Sequence, residues 1–290
     1  KGYEVKADSK GDLEELIDKL IDKKIYKARE IVRNSDAPIF NLPGHPYSAK
    51  IDSIGQINAP EQLKGMIKSI RKRGGIVQDN VRYHHHERIA EGEYAIETSI
   101  GRIITPHAPY LATGALHQSL LPEFNRNARV VHTMGLTIGP IDEEEARRIS
   151  PIPMACCDKD LDADVMWASL DARNKLTIGY GDLDSASGKK QLYEELTREV
   201  DDMFGGITKR YKTEEKFGAM LMPENGLPMV GRTPDYNIGG GWGGYGLIAS
   251  FAAARAFARY IVDGKDDELL IFEGMQPGRF VQPAANSLLI

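Results

Sequence analysis

Apolar residues recur at helical spacing in three parts of the chain. Between Gly11 and Arg33 the pattern predicts an amphipathic helix with Asp12 as its N-cap. Asn58 to Gly74 predicts a second helix, because Asn58 can cap its start and the glycine can end it. Gln191 to Phe204 predicts a third helix.

Shorter stretches have the alternating pattern of β-strands. The first group, which ends in an apolar run before the small residue Gly114, predicts an α/β arrangement. Its members are Gly2 to Ala7, Ile76 to Arg82, Tyr94 to Thr98, Arg102 to Thr105 and Ala108 to Thr113. The second group predicts successive antiparallel strands at 129–138, 154–158, 165–170 and 175–179.

Composition narrows the class of protein. The 290 residues, 41% hydrophobic and 27% charged, are enough for one large domain or two smaller ones. The net charge of −5 gives no indication of a basic surface that would bind nucleic acid or an anionic membrane. The two cysteines, Cys156 and Cys157, are adjacent, which excludes a disulfide framework and favours a cytoplasmic location. The longest apolar run, Leu247 to Val262, contains two arginines and predicts no membrane span.

The segment NIGGGWGGYG, which begins at Asn237, has six glycines in ten residues and precedes a strongly helical segment. Glycine is used where the main chain adopts positive φ or approaches a bulky group. The N-terminus of the following helix favours an anionic or electron-rich ligand. The segment therefore predicts a cofactor site, and tight packing of helix on sheet is the alternative interpretation.

Three separated pieces of sequence carry a family resemblance. They are INAPEQLKGMIKSIRKRGG, ETSIGRIITPHAPYLATGA, and PENGLPMVGRTPDYNIGGGWGGYGLIASFAAARAFARYIVDG with the later FEGMQPGRF. In this order they resemble the glycine-oxidase and sarcosine-oxidase branch of the FAD-dependent D-amino-acid-oxidase-like family, including the γ-glutamylputrescine oxidase type. The resemblance covers the chain after about Ser53, and the part before it more loosely.

The resemblance implies an α/β (α+β mixed) fold with two interleaved portions. An incomplete Rossmann-like, FAD-binding portion would comprise residues 53–128 (its middle part) and 223–290 (its C-terminal part). A substrate-binding portion built on a mixed sheet would comprise residues 1–52 (its first part) and 129–222 (its antiparallel sheet).

The resemblance also implies the residues that bind the cofactor, FAD held without a covalent bond. Small residues in LATGA would let the backbone lie against the dinucleotide, and Tyr83 falls, to within a residue or two, at a main-chain contact to adenine. The implied cofactor-binding residues are Tyr83, Ala112, Thr113, Gly114, Gly231, Arg232, Gly241, Trp242, Gly243, Gly244, Tyr245, Gly246, Leu247 and Ile248. The implied substrate-binding residues are Met220, Trp242 and Tyr245.

The sequence departs from the family pattern at several points. It contains no G-x-G-x-x-G turn for the pyrophosphate, and it begins with Lys1. Three explanations of the missing turn are open: about a hundred N-terminal residues are truncated, another polypeptide supplies the segment, or the protein has lost FAD. We favour truncation. Met220 stands where relatives place an arginine for the substrate carboxylate, and Ile248 where some place a lysine.

The implied reaction is oxidation of a C–N bond in an amine or amino acid, with hydride transfer to flavin N5 and an imine product. Oxygen or a carrier would reoxidise the flavin, and Met220 favours an amine or N-substituted substrate. Orientation dominates such catalysis, so no catalytic side chain is named. The alternatives are a flavin-free or partner-completed binding or regulatory subunit, and a flavoprotein dehydrogenase of a hydroxy acid or glycerol phosphate. An oligomer or a partner subunit is compatible with each.

Other candidate sites are weaker. His84, His85 and His86 lie in an extended segment where neighbouring side chains point to opposite faces, so a solvated strand end is favoured over a metal site. The aromatic residues that could line a pocket are His132, Trp167, Tyr180, Trp242 and Tyr245, of which the last two are favoured.

Overall fold

The strands and helices come from a computed structural model that describes residues 3–7, 9–22, 31–33, 40–43, 47–51, 57–116, 128–158, 166–183, 188–224, 226–233, 235–243 and 246–265. The strands are β1 Tyr3–Ala7, β2 Ile31–Arg33, β3 Tyr47–Ile51, β4 Tyr83–Ala90, β5 Glu93–Thr98, β6 Gly101–Thr105, β7 Tyr110–Leu111, β8 Ala128–Ile138, β9 Met154–Asp158, β10 Met166–Leu170, β11 Leu176–Leu183, β12 Thr213–Pro223, β13 Met229–Arg232 and β14 Asn237–Gly240. The helices are α1 Lys10–Asp22, α2 Ala59–Lys72, α3 Glu143–Ile149, α4 Lys189–Met203, α5 Ile207–Arg210 and α6 Gly246–Asp263. This mixture of helices and sheets confirms the predicted α/β class.

The chain divides into two compact units. Unit 1 contains Lys1–Lys72 and His132–Gly218, and unit 2 contains Arg73–Val131 and Ala219–Ile290. Each unit therefore draws on two separate stretches of sequence. The assignment of substrate binding and FAD binding to particular stretches remains a prediction.

The largest sheet has eight strands in the order β12-β8-β11-β10-β9-β1-β3-β2. The predicted antiparallel series is confirmed, since β8 pairs with β11, β11 with β10, and β10 with β9 in antiparallel register. Strand β1 lies parallel to β9, which the sequence pattern did not indicate. Helices α3, α4 and α5 pack on one face of this sheet through a buried apolar cluster that includes Leu136, Ile178 and Val200.

The other described sheets have three strands each, in the orders β13-β14-β7 and β4-β5-β6. The hairpin of β5 and β6 was predicted within one residue at each end. The predicted strand at Ile76 to Arg82 was wrong, because Asn80 has a left-handed φ of 59° and β4 begins only at Tyr83. The predicted strand at Ala108 to Thr113 is reduced to the two residues of β7.

Two helix starts test the predicted caps. The Asn58 side chain accepts a hydrogen bond from the Glu61 N–H at 3.2 Å, as predicted for α2. Helix α1 begins at Lys10, so the predicted cap Asp12 lies inside the first turn. The Ser9 hydroxyl accepts a bond from the Asp12 N–H at 3.1 Å and takes the capping role instead.

Candidate functional site

Two of the predicted cofactor segments leave the same edge of the β13-β14-β7 sheet. Strands β7 and β14 are parallel, with Tyr110 opposite Asn237 and Leu111 opposite Ile238. Because parallel strands end at the same edge, Ala112 to Gly114 and the glycine-rich turn after β14 emerge as neighbours. In open α/β sheets the carboxyl ends of parallel strands are where ligands bind.

The Asn237 side chain holds this pairing in place. Its amide nitrogen donates to the Ala108 carbonyl oxygen at 3.1 Å, and its main-chain N–H donates to the Pro109 carbonyl oxygen at 2.8 Å. Asn237 is buried, so these bonds satisfy polar groups that water does not reach. The start of β14 is therefore tied to the segment that leads into β7.

Strands β13 and β14 pair in antiparallel register, with Gly231 opposite Ile238. The turn between them is closed by Thr233, whose hydroxyl accepts a bond from the Tyr236 N–H at 3.0 Å. The guanidinium carbon of Arg232 lies 4.4 Å from the centre of the Tyr260 ring on α6. In the structure Arg232 therefore joins the turn to this helix, and its contact with a flavin remains a prediction.

The glycines at the end of β14 and in the turn after it are closely packed by side chains of the protein. A Cβ on Gly239 would lie 1.9 Å from the Tyr110 hydroxyl, and one on Gly241 would lie 2.7 Å from Pro223. A Cβ on Gly243 would lie 3.2 Å from the sulfur of Met222. These contacts are with residues of β7 and β12. Both interpretations of the segment, a cofactor site and tight packing of helix on sheet, remain predictions.

Positive φ is a second reason for glycine here. Gly241 has φ of 61° and Gly243 has φ of 54°, a region that side chains with a Cβ rarely adopt. Gly244 and Tyr245 lie outside the described residues, as does the side chain of Ile248. Their predicted contacts with FAD and substrate remain predictions.

Trp242 packs between β14 and the start of α6. Its indole would lie 3.2 Å from a Cβ on Gly239, and its own Cβ would lie 3.3 Å from a Cβ on Gly246. Trp242 also packs against the buried cluster of Val230, Ala253, Ala256 and Phe257, which joins α6 to the sheet. The Trp242 side chain is half-buried.

The first turn of α6 contains no acidic residue, which agrees with an anionic ligand at its N-terminus. Leu247 in this turn is 53% exposed. The helix has 18 residues, long enough for its dipole to act at the N-terminal end. The contact of this helix end with FAD remains a prediction.

The turn after β7 has free space above its backbone. Gly114 has φ of 57°, and no atom of the described residues lies within 4 Å of the position that a Cβ would occupy. The Leu116 N–H donates to the Thr113 carbonyl oxygen at 3.1 Å, which closes a short helical turn. A dinucleotide could approach the main chain here without meeting a side chain on Gly114.

Tyr83 packs against the apolar cluster that contains Leu111, Tyr236 and Ile238. Its hydroxyl is hydrogen-bonded to Nδ1 of His86, and burial raises the pKa of Tyr83. The His86 ring lies 5.6 Å from the Tyr236 ring in an edge-to-face arrangement. This shows how Tyr83 is held, while the predicted main-chain contact to adenine at this position remains a prediction.

The remaining histidines of this stretch, His84 and His85, are exposed on β4. Among the described residues, no group of three or more His, Cys, Asp or Glu side chains is arranged to hold a metal ion.

Met220 lies on β12, half-buried, two residues before Met222. Side chains two apart on a strand share a face, so Met220 and Met222 point the same way. Because Met222 contacts the Gly243 position, β12 brings Met220 to the side of the strand that meets the glycine-rich turn. A role in substrate binding remains a prediction.

Sequence reasoning did not identify two residues of this site, Tyr110 and Met222. The Tyr110 ring lies 4.8 Å from the Phe257 ring, and burial raises the pKa of Tyr110 to about 12. Their only signal in the sequence is position, immediately before LATGA and immediately before PENG. Local pattern could not connect them to the glycines that they contact.

The family model described as "FAD dependent oxidoreductase", DAO, matches residues 5–260 of the sequence. The chain belongs to the DAO family of FAD-dependent oxidoreductases. Membership confirms the resemblance seen in the sequence, and it makes this DAO-family protein an oxidoreductase with FAD as its cofactor. No curated protein matched the sequence.

Solved structures share the DAO-family fold at low sequence identity. Glycine oxidase from Geobacillus kaustophilus is 14% identical with a TM-score of 0.69, over 89% of this chain and 70% of the other. L-proline dehydrogenase from P. horikoshii is 13% identical with a TM-score of 0.71, over 95% and 77%. L-α-glycerophosphate oxidase from Mycoplasma pneumoniae, with FAD bound, is 15% identical with a TM-score of 0.65, over 89% and 72%.

Within the described part of this DAO-family chain, no helix combines the length and the apolar character that crossing a bilayer requires.

Proposed function

We propose that this DAO-family chain oxidises a C–N bond of an amine or amino acid and releases an imine. Flavin binding is supported by one observation, the parallel pairing of β7 and β14. Because of this pairing, the two segments predicted to bind the cofactor leave the same edge of the sheet. The substrate class is supported by similar folds named for glycine and L-proline, both of which contain a C–N bond.

Two parts of unit 2 would hold the cofactor. The open backbone at Ala112 to Gly114 would lie against the dinucleotide, and the turn at Gly241 to Gly246 would lie along the flavin. The main-chain N–H groups at the start of α6 would favour negative charge on that part of the cofactor. When bound, FAD supplies the hydride acceptor for the carbon next to the substrate nitrogen.

The protein's contribution would be to position the substrate and exclude water. Trp242, fixed between β14 and α6, would form a rigid wall of the site. Met220 would replace a carboxylate-binding arginine, which favours amines and N-substituted amines over simple α-amino acids. Neither role needs a proton to move through a side chain.

The FAD would be held without a covalent bond. The sequence has two cysteines, Cys156 and Cys157, neither of them in unit 2. Flavin should therefore be released by denaturation and remain in the filtrate when the protein is removed.

A panel of compounds tests the proposal. The chain would be purified in the presence of FAD, made anaerobic, and mixed with amines, amino acids, hydroxy acids and glycerol phosphate while the visible flavin band is recorded. Bleaching by amines or amino acids, with an imine or its hydrolysis product, is the expected result. Bound flavin that is bleached by none of the nitrogen compounds would exclude this function.

A second candidate function is oxidation of a hydroxy acid or glycerol phosphate, favoured by the similarity to L-α-glycerophosphate oxidase. Bleaching by glycerol phosphate alone would establish it. Failure to bind FAD at any concentration would favour the third alternative, a binding or regulatory subunit completed by a partner. The interpretation of the chain as a fragment also stays a prediction.

A further inference from the structure

The Tyr110 side chain reaches along its sheet towards the edge where the predicted cofactor segments leave. Tyr110 is the first residue of β7 and pairs with Asn237 of β14. Its hydroxyl nevertheless lies over Gly239, because a Cβ on Gly239 would be 1.9 Å from the hydroxyl oxygen. Gly239 is two residues further along β14, about 7 Å in an extended strand. Since β7 and β14 are parallel, the side chain points towards the carboxyl ends of both strands.

Ring contacts hold Tyr110 in this orientation. The Tyr110 ring packs edge-to-face on the Phe257 ring of α6, with centroids 4.8 Å apart. Phe257 belongs to the buried cluster that joins α6 to the sheet. The indole of Trp242 would lie 3.2 Å from the same Cβ position on Gly239, so the hydroxyl and the indole are neighbours above this glycine. The hydroxyl therefore has a fixed position next to the glycine-rich turn.

The Tyr110 hydroxyl has no hydrogen-bond partner among the residues that the structure describes. Burial raises the pKa of Tyr110 to about 12, and no hydrogen bond contributes to this rise. Other tyrosines of the chain do have protein partners. The Tyr180 hydroxyl donates to the carboxylate of Glu199, and the Tyr211 hydroxyl donates to that of Asp142. Because a polar group withdrawn from water costs free energy unless it is bonded, a donor such as Tyr110 requires an acceptor.

Packing alone does not explain the hydroxyl. A phenylalanine at position 110 would make the same ring contact with Phe257. The hydroxyl instead makes the closest approach to the Gly239 position, at 1.9 Å compared with 2.8 Å for the ring carbon that carries it. It adds to the steric demand for glycine at this position and gains no hydrogen bond from the described residues in return. A ligand with an acceptor oxygen would account for it.

The surroundings of the hydroxyl favour an anionic acceptor. The first turn of α6 contains no acidic residue, and its main-chain N–H groups form the positive end of the helix dipole. Trp242 lies between the hydroxyl and this helix end, because its Cβ would lie 3.3 Å from a Cβ on Gly246, the first residue of α6. A hydroxyl donates more strongly to an anionic oxygen than to a neutral one. FAD, the cofactor of the DAO family, has anionic oxygens in its pyrophosphate.

We propose that Tyr110 is a cofactor-positioning residue whose hydroxyl donates a hydrogen bond to a pyrophosphate oxygen of FAD. The bond would anchor the middle of the dinucleotide at the sheet edge, between the open backbone at Gly114 and the turn after β14. This role rests on the cofactor site proposed above and is independent of which substrate is oxidised. The hydroxyl would contribute to the affinity for FAD and not to the stability of the chain without FAD.

The affinity for FAD tests this role. Tyr110→Phe removes one oxygen and keeps the ring contact with Phe257. It should raise the Kd for FAD by about 10- to 100-fold, as expected for the loss of a hydrogen bond to a charged group. Flavin fluorescence titration of the full chain measures the Kd.

Tyr211→Phe is the matched control. The hydrogen bond to Asp142 raises the pKa of Tyr211 to about 12 as well, but this hydroxyl already has its acceptor within the protein. The substitution removes the same atom from a tyrosine of unit 1, and it should leave the Kd for FAD unchanged.

Phosphorus NMR of bound FAD separates a direct contact from an effect through packing. A pyrophosphate resonance should shift between the unaltered protein and Tyr110→Phe, and it should not shift in Tyr211→Phe. Without FAD, urea unfolding of Tyr110→Phe at neutral pH should match that of the unaltered protein, because no hydrogen bond to a described residue is lost.

The outcomes are distinct. An unchanged Kd in Tyr110→Phe, or a raised Kd with unshifted phosphorus resonances, overturns the role of Tyr110, while amine oxidation stands if amines bleach the flavin. A raised Kd with a shifted resonance, in a protein whose flavin no amine bleaches, leaves the role standing while the proposed function fails. An unaltered chain that binds no FAD overturns both. A Tyr110→Phe variant that does not fold would show that the hydroxyl supports the fold itself, which also overturns the role.

Discussion

The hydroxyl of Tyr110 occupies the space that a side chain at position 239 would need. A Cβ built on Gly239 lies 1.9 Å from the Tyr110 oxygen and 2.8 Å from the ring carbon that carries it. The ring is itself packed edge-to-face against Phe257, with centroids 4.8 Å apart. Tyr110 therefore cannot withdraw without disturbing the packing of α6, and the glycine is required by a contact between distant parts of the sequence.

Gly239→Ala should destabilise the protein by about 1 to 3 kcal/mol, the usual range for overpacking a buried site. Gly239 is not among the residues with positive φ, so the cost reflects the contact with Tyr110 rather than backbone strain. Urea unfolding measures the change. In the Tyr110→Phe background the cost should be smaller, because the nearest atom is gone.

Gly65→Ala is the control for that experiment. Gly65 is exposed inside α2, and none of the described residues outside its own helix backbone has an atom within 4 Å of the position of a Cβ. Alanine there should therefore stabilise the protein by up to about 1 kcal/mol. Equal effects of the two substitutions would contradict the Tyr110 contact.

Stability at alkaline pH should depend on Tyr110. Burial raises its pKa from 10.0 to about 12, so the folded state retains the neutral phenol where the unfolded state loses its proton. The stability from this group is complete below pH 10 and is lost as pH rises towards 12. Tyr110→Phe has no proton to lose, so its unfolding free energy should fall less steeply in that window. Parallel curves for the two proteins would contradict the prediction.

Asp201 should contribute to stability on the acid side. The carboxylate is 8% exposed and accepts bonds from the Thr208 N–H at 2.9 Å and the Thr208 hydroxyl at 2.8 Å. Burial alone would raise the pKa of Asp201, but the Thr208 hydrogen bonds and the Lys209 ammonium 3.4 Å from the carboxylate together outweigh it and lower the pKa. A lowered pKa in the folded state means that this stability is present above 3.8 and is lost as pH falls through the lowered value.

Asp201→Asn should therefore cost about 1 to 3 kcal/mol at neutral pH, and the difference from the unaltered protein should narrow as the solution becomes strongly acidic. Asp202→Asn makes the same charge change at the next residue, which is exposed, and should have little effect. Chemical unfolding across the acid range measures both. A difference that stays constant with pH would show that the carboxylate charge is unimportant.

The role of Gly114 in cofactor binding can be separated from its role in the backbone. Gly114 and Gly92 lie in unit 2 and have positive φ, 57° and 68°. In the part of the chain that the structure describes, neither has an atom within 4 Å of the position of a Cβ. Alanine at either position should cost about 1 to 2 kcal/mol in folding free energy. If the open backbone of the LATGA turn lies against FAD, only Gly114→Ala should also lower the affinity for FAD. Flavin fluorescence titration measures the affinity for FAD. Equal affinities in the two variants would show that Gly114 is not part of the FAD site.

Sequence pattern was most successful where local signals agree with one another. Helix α2 has an amphipathic pattern, a capping asparagine and a terminal glycine, and its limits were predicted within two residues. The hairpin of β5 and β6 was predicted equally well. The predicted strand before β4 failed because its alternating pattern contained Asn80, whose left-handed backbone conformation local hydrophobicity does not reveal.

The order of three motifs was sufficient to identify the family, because a flavin fold requires small residues at fixed points along the chain. The same motifs did not reveal what the glycines contact. Gly239, Gly241 and Gly243 pack against Tyr110, Pro223 and Met222, residues whose proximity depends on strand pairing.

The amino-acid sequence alone determined the α/β class, most of the helices and strands, and membership of an FAD-dependent family, since periodicity, caps and glycine turns are local properties. Only the tertiary structure decided that β7 lies parallel to β14, and that the Asn237 side chain donates to the carbonyl of Ala108, 129 residues earlier in the sequence. It also decided that the indole of Trp167 packs against Gly135 and Gly179 on neighbouring strands. Those relationships depend on strand register and on packing between segments that are distant in the sequence. The register is set by which side chains the whole fold buries, so a short window of sequence does not determine it.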